Sequence, residues 1–206
     1  MKHPIAIVIL LALATTVYAQ SSKDHIPKFY TQIGIGPSTH NGSFTEFGGT
    51  VVFKNKWTTS ISYQDFDMTP SNLPSDYKRG YTFIFPDEWP SMKMKSINFT
   101  AGKYFPLNRQ IWFTAEAGVA ITSGDSFIFT RQAVVETTWQ FSSNYAIHSE
   151  PPSTGAGAII KADFNWAICP YVGFSGGVFA NVNSLQSMVG LDFKIIVGWL
   201  NSKKIK

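Results

Sequence analysis

Runs in which apolar and polar residues alternate with a period of two constrain this chain more than any other feature of its sequence. In the clearest run, over 158–168, apolar residues take every even position, while Lys161, Asp163 and Asn165 share the odd positions. Successive side chains of a strand point to opposite faces, so this pattern predicts strands with two different faces. After residue 19 no apolar run approaches the roughly 18 residues that a membrane-spanning helix needs. If the mature chain crosses a membrane, it must therefore do so as a closed β-barrel.

Eight segments follow this alternation, some of them more weakly than others, and they are predicted to be strands. They cover 29–36, 44–54, 57–67, 95–105, 111–121, 158–168, 172–182 and 189–199. An even number of such segments predicts an all-β fold, a transmembrane antiparallel up-and-down β-barrel of eight strands. Two further alternating runs, 81–85 and 134–141, make ten strands the main competing count.

The volume of such a barrel and the lengths of its connections indicate which face is inside. An eight-stranded interior is just filled by side chains, so bulky apolar residues from every strand would overfill it, whereas Gly, Ser, Asn and a few charges would fit. Short and longer connections also alternate along the chain. The tight turns are 54–56, 106–109 and 169–170, and the longer connections are 36–43, 68–93, 122–154 and 183–186. This pattern is typical of an outer-membrane barrel with short periplasmic turns and two long extracellular loops; a soluble secreted barrel with an apolar interior is the structural rival.

Aromatic residues gather beside the predicted short turns and at the end of the last strand. Amphipathic rings favour the depth of lipid headgroups, so this group predicts an aromatic girdle at the periplasmic interface. Its members are Phe53, Trp57, Tyr104, Phe105, Trp112, Trp166, Tyr171 and Trp199. The alternative interpretation is ordinary core packing at the ends of strands.

Residues 1–19 have the pattern of a secretory signal peptide, with Lys2 before an apolar stretch and small residues at the cleavage site. Cleavage after Ala19 would leave 20–206 as a single outer-membrane β-barrel domain. The lone Cys169 excludes a disulfide scaffold and a multi-cysteine zinc site. The formal net charge of +4 is small, and nucleic-acid-binding chains usually cluster their Lys and Arg, so no nucleic-acid partner is expected.

Six charged residues are predicted to face the interior of the barrel. They are Glu46, Glu116, Lys161, Asp163, Asp192 and Lys194. Because an unpaired buried charge costs several kcal/mol, these residues must pair, and we expect a salt-bridge network that seals the lumen. An ion or proton path is the functional alternative, although eight strands leave little open bore.

The residues that could perform enzymatic chemistry are not arranged for it, so no enzyme is expected. Glu116 and Asp163 lie on neighbouring strands, but Lys161 beside them favours ion pairing over acid–base catalysis. None of the four histidines has a ligand partner at metal-binding spacing, so neither a metal nor a cofactor is expected. His148 and Glu150 with a nearby serine could suggest a hydrolase triad, but they are predicted to lie in a proline-flanked loop.

The two long predicted loops contain many aromatic residues that could bind a partner. These are Tyr81, Phe83, Phe85, Trp89, Phe127, Phe129, Trp139 and Phe141. An apolar patch there would suit a partner protein or a surface glycan. Alternatively, strands four to six of the barrel continue above the membrane as a hairpin, and these aromatic side chains pack on each other.

The stretch 103–119, KYFPLNRQIWFTAEAGV, resembles the central turn and following strand of small Bacteroidetes-type outer-membrane β-barrel proteins. The segments 162–174 and 190–200 are similar to the last strands of that family. The resemblance covers 95–200 well and 28–67 loosely. It implies a membrane barrel, often described as porin-like, whose roles are mostly unassigned. One departure is that Trp199 is followed by a basic tail, whereas the family often ends on an aromatic residue.

Two functional expectations follow from these patterns. The first is an integral outer-membrane barrel of non-enzymatic, structural or partner-binding type, surrounded by outer-membrane lipid and presenting its loops to a protein or a surface glycan. The second is a small pore or transporter for a small or hydrophobic solute, which the glycine-rich interior suggests.

Overall fold

A computed structural model describes residues 28–54, 56–82, 85–87, 89–137 and 140–200. The predicted signal peptide and the basic tail after Leu200 lie outside these ranges. Within the ranges, no helix is long and apolar enough to cross a membrane. The strands, in chain order, are β1 (Lys28–Ser38), β2 (Gly42–Phe53), β3 (Trp57–Met68), β4 (Tyr81–Thr82), β5 (Phe85–Pro86), β6 (Met92–Pro106), β7 (Ile111–Arg131), β8 (Glu136–Thr137), β9 (Gln140–Phe141), β10 (Tyr145–Ala167), β11 (Val172–Asn183) and β12 (Met188–Trp199).

The long strands close into a barrel in the order β1-β12-β11-β10-β7-β6-β3-β2. All neighbouring strands are antiparallel, and the first and last strands complete the ring, with Phe29 opposite Trp199. The prediction of an eight-stranded antiparallel up-and-down barrel is therefore confirmed, and the count of ten strands is wrong. The two extra alternating runs instead form a separate four-stranded sheet, in the order β5-β4-β9-β8.

The barrel has a turn end and a loop end. The turn end holds both ends of the described chain and the short connections 54–56, 107–110 and 168–171, as predicted. At the loop end, however, β1 and β2 are joined by a tight turn over 39–41, where the sequence suggested a longer connection. Both strands extend further than their alternation indicates, and His40 and Asn41 close the turn with φ angles of 60° and 50°.

β7 and β10 continue beyond the barrel wall as a two-stranded hairpin, which is paired as far as Arg131 and Tyr145. The predicted loop 122–154 is therefore mostly strand. This agrees with the alternative interpretation, in which barrel strands continue above the membrane as a hairpin, and the strands that do so are the fifth and sixth of the barrel. The register shifts between Glu150 and Ser153, because the two prolines between them have no N–H group to donate to the ladder.

The alternation places polar side chains inside the barrel and apolar side chains outside. On β12, for example, Asp192 and Lys194 are buried in the lumen, whereas Leu191 and Phe193, which alternate with them, are at least half exposed. Apolar side chains cover the outer surface on every strand of the barrel. Representative members are Ile33, Phe47, Ile61, Phe99, Val119, Ile160, Phe174 and Ile195.

Two apolar clusters fill the two ends of the lumen. The turn-end cluster comprises Tyr30, Val52, Tyr104, Trp112, Ala167, Ile196 and Leu200. The loop-end cluster comprises Phe44, Phe66, Met68, Met92, Met94, Phe179 and Met188, with Phe127 and Leu185 packed against it. Phe44 and Phe179 make an edge-to-face contact at 4.8 Å, so this end of the lumen is closed by interlocking rings.

Tyr104 and Trp112 belong to the turn-end cluster, so their predicted place in an outward girdle is wrong. Trp112 is fully buried and Tyr104 is 4% exposed. The cause is strand parity, because Trp112 precedes Thr114 and Glu116 by two and four residues and shares their lumen-facing side. Proximity to a turn sets the height of a side chain, whereas its place in the alternation sets its face.

Candidate functional site

Between the two apolar clusters, the lumen contains an ion cluster of two lysines and three carboxylates. Lys161 Nζ on β10 lies 2.5 Å from Glu46 Oε1 on β2, which is on the opposite side of the ring. Lys194 Nζ on β12 lies 2.8 Å from Asp163 Oδ1 and 3.1 Å from Asp192 Oδ2. Lys194 Nζ is also 3.9 Å from Glu46 Oε1, so Glu46 connects the two lysines.

Gly177 on β11 allows Asp163 and Asp192 to approach the same point from the two neighbouring strands. Both aspartates lie directly opposite Gly177 in the strand register. A Cβ atom at this position would be 2.1 Å from Asp163 Oδ1 and 2.8 Å from Asp192 Oδ1. A side chain at 177 would therefore displace the carboxylates, and the Lys194 amino group could not contact both.

Glu116, the sixth predicted interior charge, is not part of the ion cluster. Its carboxylate accepts hydrogen bonds from Ser60 Oγ and Thr100 Oγ1, each with a donor–acceptor distance of 2.5 Å. Lys161 is its cross-strand neighbour, but the lysine amino group contacts Glu46 instead. The arrangement satisfies a buried carboxylate with hydroxyl groups, and it does not pair Glu116 with Asp163 for acid–base chemistry.

Amide side chains that the sequence reasoning did not identify complete the site. Gln32 Nε2 and Gln64 Nε2 donate to the two oxygens of Glu46 over 2.7 and 2.8 Å. Asn98 Nδ2 donates in turn to Gln64 Oε1 over 3.0 Å. All three amides occupy lumen-facing positions of predicted alternating segments, and that parity is the signal that could have identified them.

The lumen is therefore a filled core. Its polar layer lies between two apolar clusters, and the charges within it are paired or hydrogen-bonded. Asp192 contacts Lys194 as an ion pair, although neither of its oxygens has a hydrogen bond of suitable geometry. Such a layer favours one register for β2, β10 and β12, since a shift of any of these strands would separate a lysine from its carboxylate.

The remaining predicted girdle residues lie on the outer surface of the turn end. Those that are about half exposed are Trp57, Phe105, Trp166, Tyr171 and Trp199, and Phe53 is partly buried. Lys103 Nζ lies 3.4 Å above the Trp57 ring, which is a close cation–π contact. The outer rim at this end therefore combines aromatic rings with a basic side chain.

At the loop end, the small four-stranded sheet contains part of the predicted aromatic surface. Tyr81 on β4 and Phe141 on β9 are cross-strand neighbours, and their rings stack 5.7 Å apart with an interplanar angle of 7°. Phe85 on the edge strand β5 is 72% exposed. Phe83 and Trp139 lie outside the described residues.

Tyr77 organises a second aromatic group beside that sheet. Its ring centroid lies 5.6 Å from Trp89, 6.3 Å from Phe129 and 6.4 Å from Tyr145. Trp89 stays about half exposed. Phe127 differs from its neighbours, because it packs on the loop-end cluster and so belongs to the closure of the lumen.

Asp76 connects the segment between β3 and β6 to the β7–β10 hairpin. Tyr145 OH donates to Asp76 Oδ1 over 2.8 Å, and Arg131 Nη2 lies 3.5 Å from Asp76 Oδ2. The hydrogen bond to Asp76 is the main cause that raises the pKa of Tyr145. Asn144 Nδ2 also donates to the backbone carbonyl of Asp76 over 2.8 Å.

A groove of about 400 Å³ opens between this segment and the tight turn over 39–41. Trp89 and Leu73 supply its apolar surface, and Asn41 and Thr69 supply polar groups. The loop end therefore offers an accessible concave surface, in contrast with the filled lumen below it.

His148 and Glu150 lie on β10, and the expectation that they belong to a loop is wrong. Both are exposed on the hairpin, and neither lines the groove. Across the part of the chain that the structure describes, no group of His, Cys, Asp and Glu side chains is arranged to hold a metal ion.

Comparison with known proteins gives likenesses of fold alone. No protein-family model matches the chain, and no curated protein matches it. The attachment invasion locus protein Ail of Yersinia pestis, in complex with the heparin analogue sucrose octasulfate, is 14% identical with a TM-score of 0.48, and the match covers 85% of this chain and 99% of that one. Neisserial surface protein A is 13% identical with a TM-score of 0.45, over 83% of this chain and 94% of that one. The outer membrane protein OprG from Pseudomonas aeruginosa is 11% identical with a TM-score of 0.45, over 84% and 93%.

Proposed function

We propose that this chain is an integral outer-membrane β-barrel protein of non-enzymatic type, which binds a partner through its loop end. The turn end would face the periplasm and the loop end the cell exterior. We further propose that residues 1–19 are removed as a signal peptide after Ala19. The assignment to the Bacteroidetes-type family is part of the same proposal and is supported by the stretch 103–119.

The apolar outer surface of the barrel supports the proposal that the protein lies in a membrane. A soluble protein rarely exposes a contiguous apolar patch of more than a few hundred Å², yet here apolar side chains surround the whole barrel. β1, β2, β3, β11 and β12 contain 11 or 12 residues each, which suits tilted strands that cross a hydrocarbon core. A closed ring leaves no unpaired strand edge in lipid.

The filled lumen favours binding over transport. A solute on the barrel axis would have to pass the loop-end cluster, the ion cluster and the turn-end cluster in succession. A small pore is the alternative function, and it would require these side chains to move. Planar-bilayer recordings with purified protein test it: we expect no conductance, and stable single-channel steps would favour the pore.

The exposed apolar side chains at the loop end support the binding role. Phe85 lies at one edge of the small sheet, and Val135 precedes the strand at its other edge and is 60% exposed. Short edge strands with exposed apolar residues are suited to contact with another macromolecule. The groove beside Trp89 adds a concave surface to the same face.

The location is tested by fractionation of cell envelopes together with electrophoresis before and after heating in detergent. We expect the protein in the outer-membrane fraction, with a mobility that changes when the barrel unfolds. A protein that stays in solution without detergent would contradict the membrane proposal.

The binding role is tested by a photo-crosslinking amino acid at Phe85 in intact cells, with the same substitution at the lipid-facing Ile33 as the matched control. We expect an adduct from Phe85 and none from Ile33. Loss of the adduct after surface proteolysis would identify a protein partner, and loss after periodate treatment would identify a glycan. Equal adducts at both positions would contradict the role.

A further inference from the structure

The charged side chains outside the lumen are distributed unequally between the two ends of the barrel. At the loop end, Lys93 and Lys95 on β6 are the cross-strand neighbours of Asp67 and Asp65 on β3. Opposite charges in such pairs compensate each other. The loop end therefore has little excess charge on this part of its outer surface.

On the same side of the barrel, the exposed charged groups that the structure describes at the turn end are basic. Lys54 and Lys56 flank the β2–β3 turn, Lys103 lies near the end of β6, and Arg109 lies in the β6–β7 turn. All four side chains are exposed. Among the residues that the structure describes, no carboxylate is within ion-pair distance of any of them. We call these four residues the basic rim.

The basic rim spans two neighbouring turns, because β3 pairs with β6, and it lies next to aromatic rings. The backbone N–H of Tyr104 donates to the carbonyl of Lys56 over 2.9 Å, which holds the β2–β3 turn against the end of β6. Trp57 is the cross-strand neighbour of Lys103, and the lysine amino group lies over its ring. A tryptophan with a long cationic side chain at one level is the combination that favours a membrane–water interface.

We propose that the basic rim binds anionic phospholipid headgroups of the periplasmic leaflet. Within the described ranges these four cations have no protein carboxylate to compensate them, and a headgroup phosphate would supply that charge at the depth where Trp57 lies. This inference rests on the proposed membrane location and adds a lipid class to it. On the other side of the barrel, the described β10–β11 turn contains no charged residue, so the short turns differ in charge.

Spin-label spectroscopy of the full mature protein in bilayers tests the proposal. The bilayers contain trace phosphatidylglycerol or phosphatidylcholine with a nitroxide on the acyl chain, and the fraction of motionally restricted lipid is measured. We expect a roughly two- to five-fold preference for phosphatidylglycerol at low salt, which falls as salt is added. Equal association of the two lipids with the wild-type protein would overturn the proposal.

Two double variants with the same charge change locate the preference. K54Q/K56Q at the turn end should bring it close to one, whereas K93Q/K95Q at the loop end should leave it unchanged. An equal loss in both variants would overturn the assignment to the basic rim. If the detergent-solubilised protein binds inorganic phosphate but shows no preference for phosphatidylglycerol in bilayers, the patch binds free anions and the lipid assignment is wrong.

The experiment separates this inference from the proposed function. A protein that is not in the membrane would restrict no lipid of either kind, whereas an inserted barrel without selectivity would restrict both equally. Cosedimentation with purified peptidoglycan provides the last comparison. If peptidoglycan retains the wild-type protein but not K54Q/K56Q, and the wild-type protein shows no lipid preference, the basic rim binds the cell wall and the phospholipid assignment is wrong.

Discussion

The polar layer of the lumen and the small sheet at the loop end differ in how many contacts hold their side chains. In the lumen, Lys161 and Lys194 are almost completely buried and contact carboxylates from other strands of a closed ring. In the small sheet, each strand has two residues, and Phe85 is left 72% exposed. The barrel therefore concentrates its ion pairs inside, and the exposed apolar side chains of the small sheet lie outside the barrel wall.

The largest effect on stability is expected from Lys194→Met, which removes a lysine from the ion cluster of the lumen. The substitution leaves Asp163 and Asp192 buried without their cation, and removal of one partner from a buried ion pair typically costs about 3–5 kcal/mol. Urea-induced unfolding of the protein in lipid or detergent measures the loss.

Lys95→Met is the matched control, because Lys95 is exposed and faces Asp65 across the strands. Exposed pairs contribute about 0–1 kcal/mol, so this variant should unfold near the wild-type midpoint. Adding Asp163→Asn and Asp192→Asn to Lys194→Met should restore part of the lost stability. Equal losses for Lys194→Met and Lys95→Met would contradict the buried ion cluster.

A second comparison concerns the two tryptophans Trp112 and Trp166, which lie at the same end but on opposite faces. Trp112→Ala empties the centre of the turn-end cluster, and loss of a large buried aromatic side chain typically costs about 3–5 kcal/mol. Trp166→Ala removes a half-exposed ring and should cost less. The same unfolding measurement applies. A larger loss of stability for Trp166→Ala would indicate that Trp166, and not Trp112, fills the turn-end cluster.

Replacement of residues 132–144 by Gly-Gly removes two strands of the small sheet and tests whether that sheet stabilises the barrel. The junction joins Arg131 to Tyr145, which already face each other at the end of the hairpin. We expect the barrel to keep its unfolding midpoint and its heat-dependent mobility, while the photo-adduct at Phe85 is lost. A large fall in stability would mean that the small sheet contributes to the barrel.

The smallest effect is expected from Asp76→Ala. The hydrogen bond to Asp76 raises the pKa of Tyr145, so its removal should lower that pKa toward the ordinary value of about 10. Because the folded-state pKa is raised, the stabilising contact is present below the ordinary value and is lost as pH rises through the raised one. Phenolate absorbance, with Tyr145→Phe as the reference, measures the shift; an unchanged titration would contradict the contact.

Particular residues mark how far sequence reasoning reached. The lumen-facing parity of Lys161, Asp163 and Asp192 followed from the alternation, because the face of a side chain is a local property of the strand. The partner of Lys161 did not, since Glu46 is 115 positions away and becomes its neighbour only when the ring closes. The girdle assignment of Trp112 is wrong, because a nearby turn fixes only the height of its ring and the alternation places the ring in the lumen.

The sequence by itself determined the number of barrel strands, their antiparallel order and the face of most of their residues. These properties depend on a repeat of two residues and on short connections, both of which can be read along the chain. Only the tertiary structure decided which lysine contacts which carboxylate, that apolar clusters close both ends of the lumen, and that the 81–85 and 134–141 runs form a sheet of their own. The physical reason is that contacts across a lumen depend on the closure and relative stagger of all eight strands, which no single segment encodes.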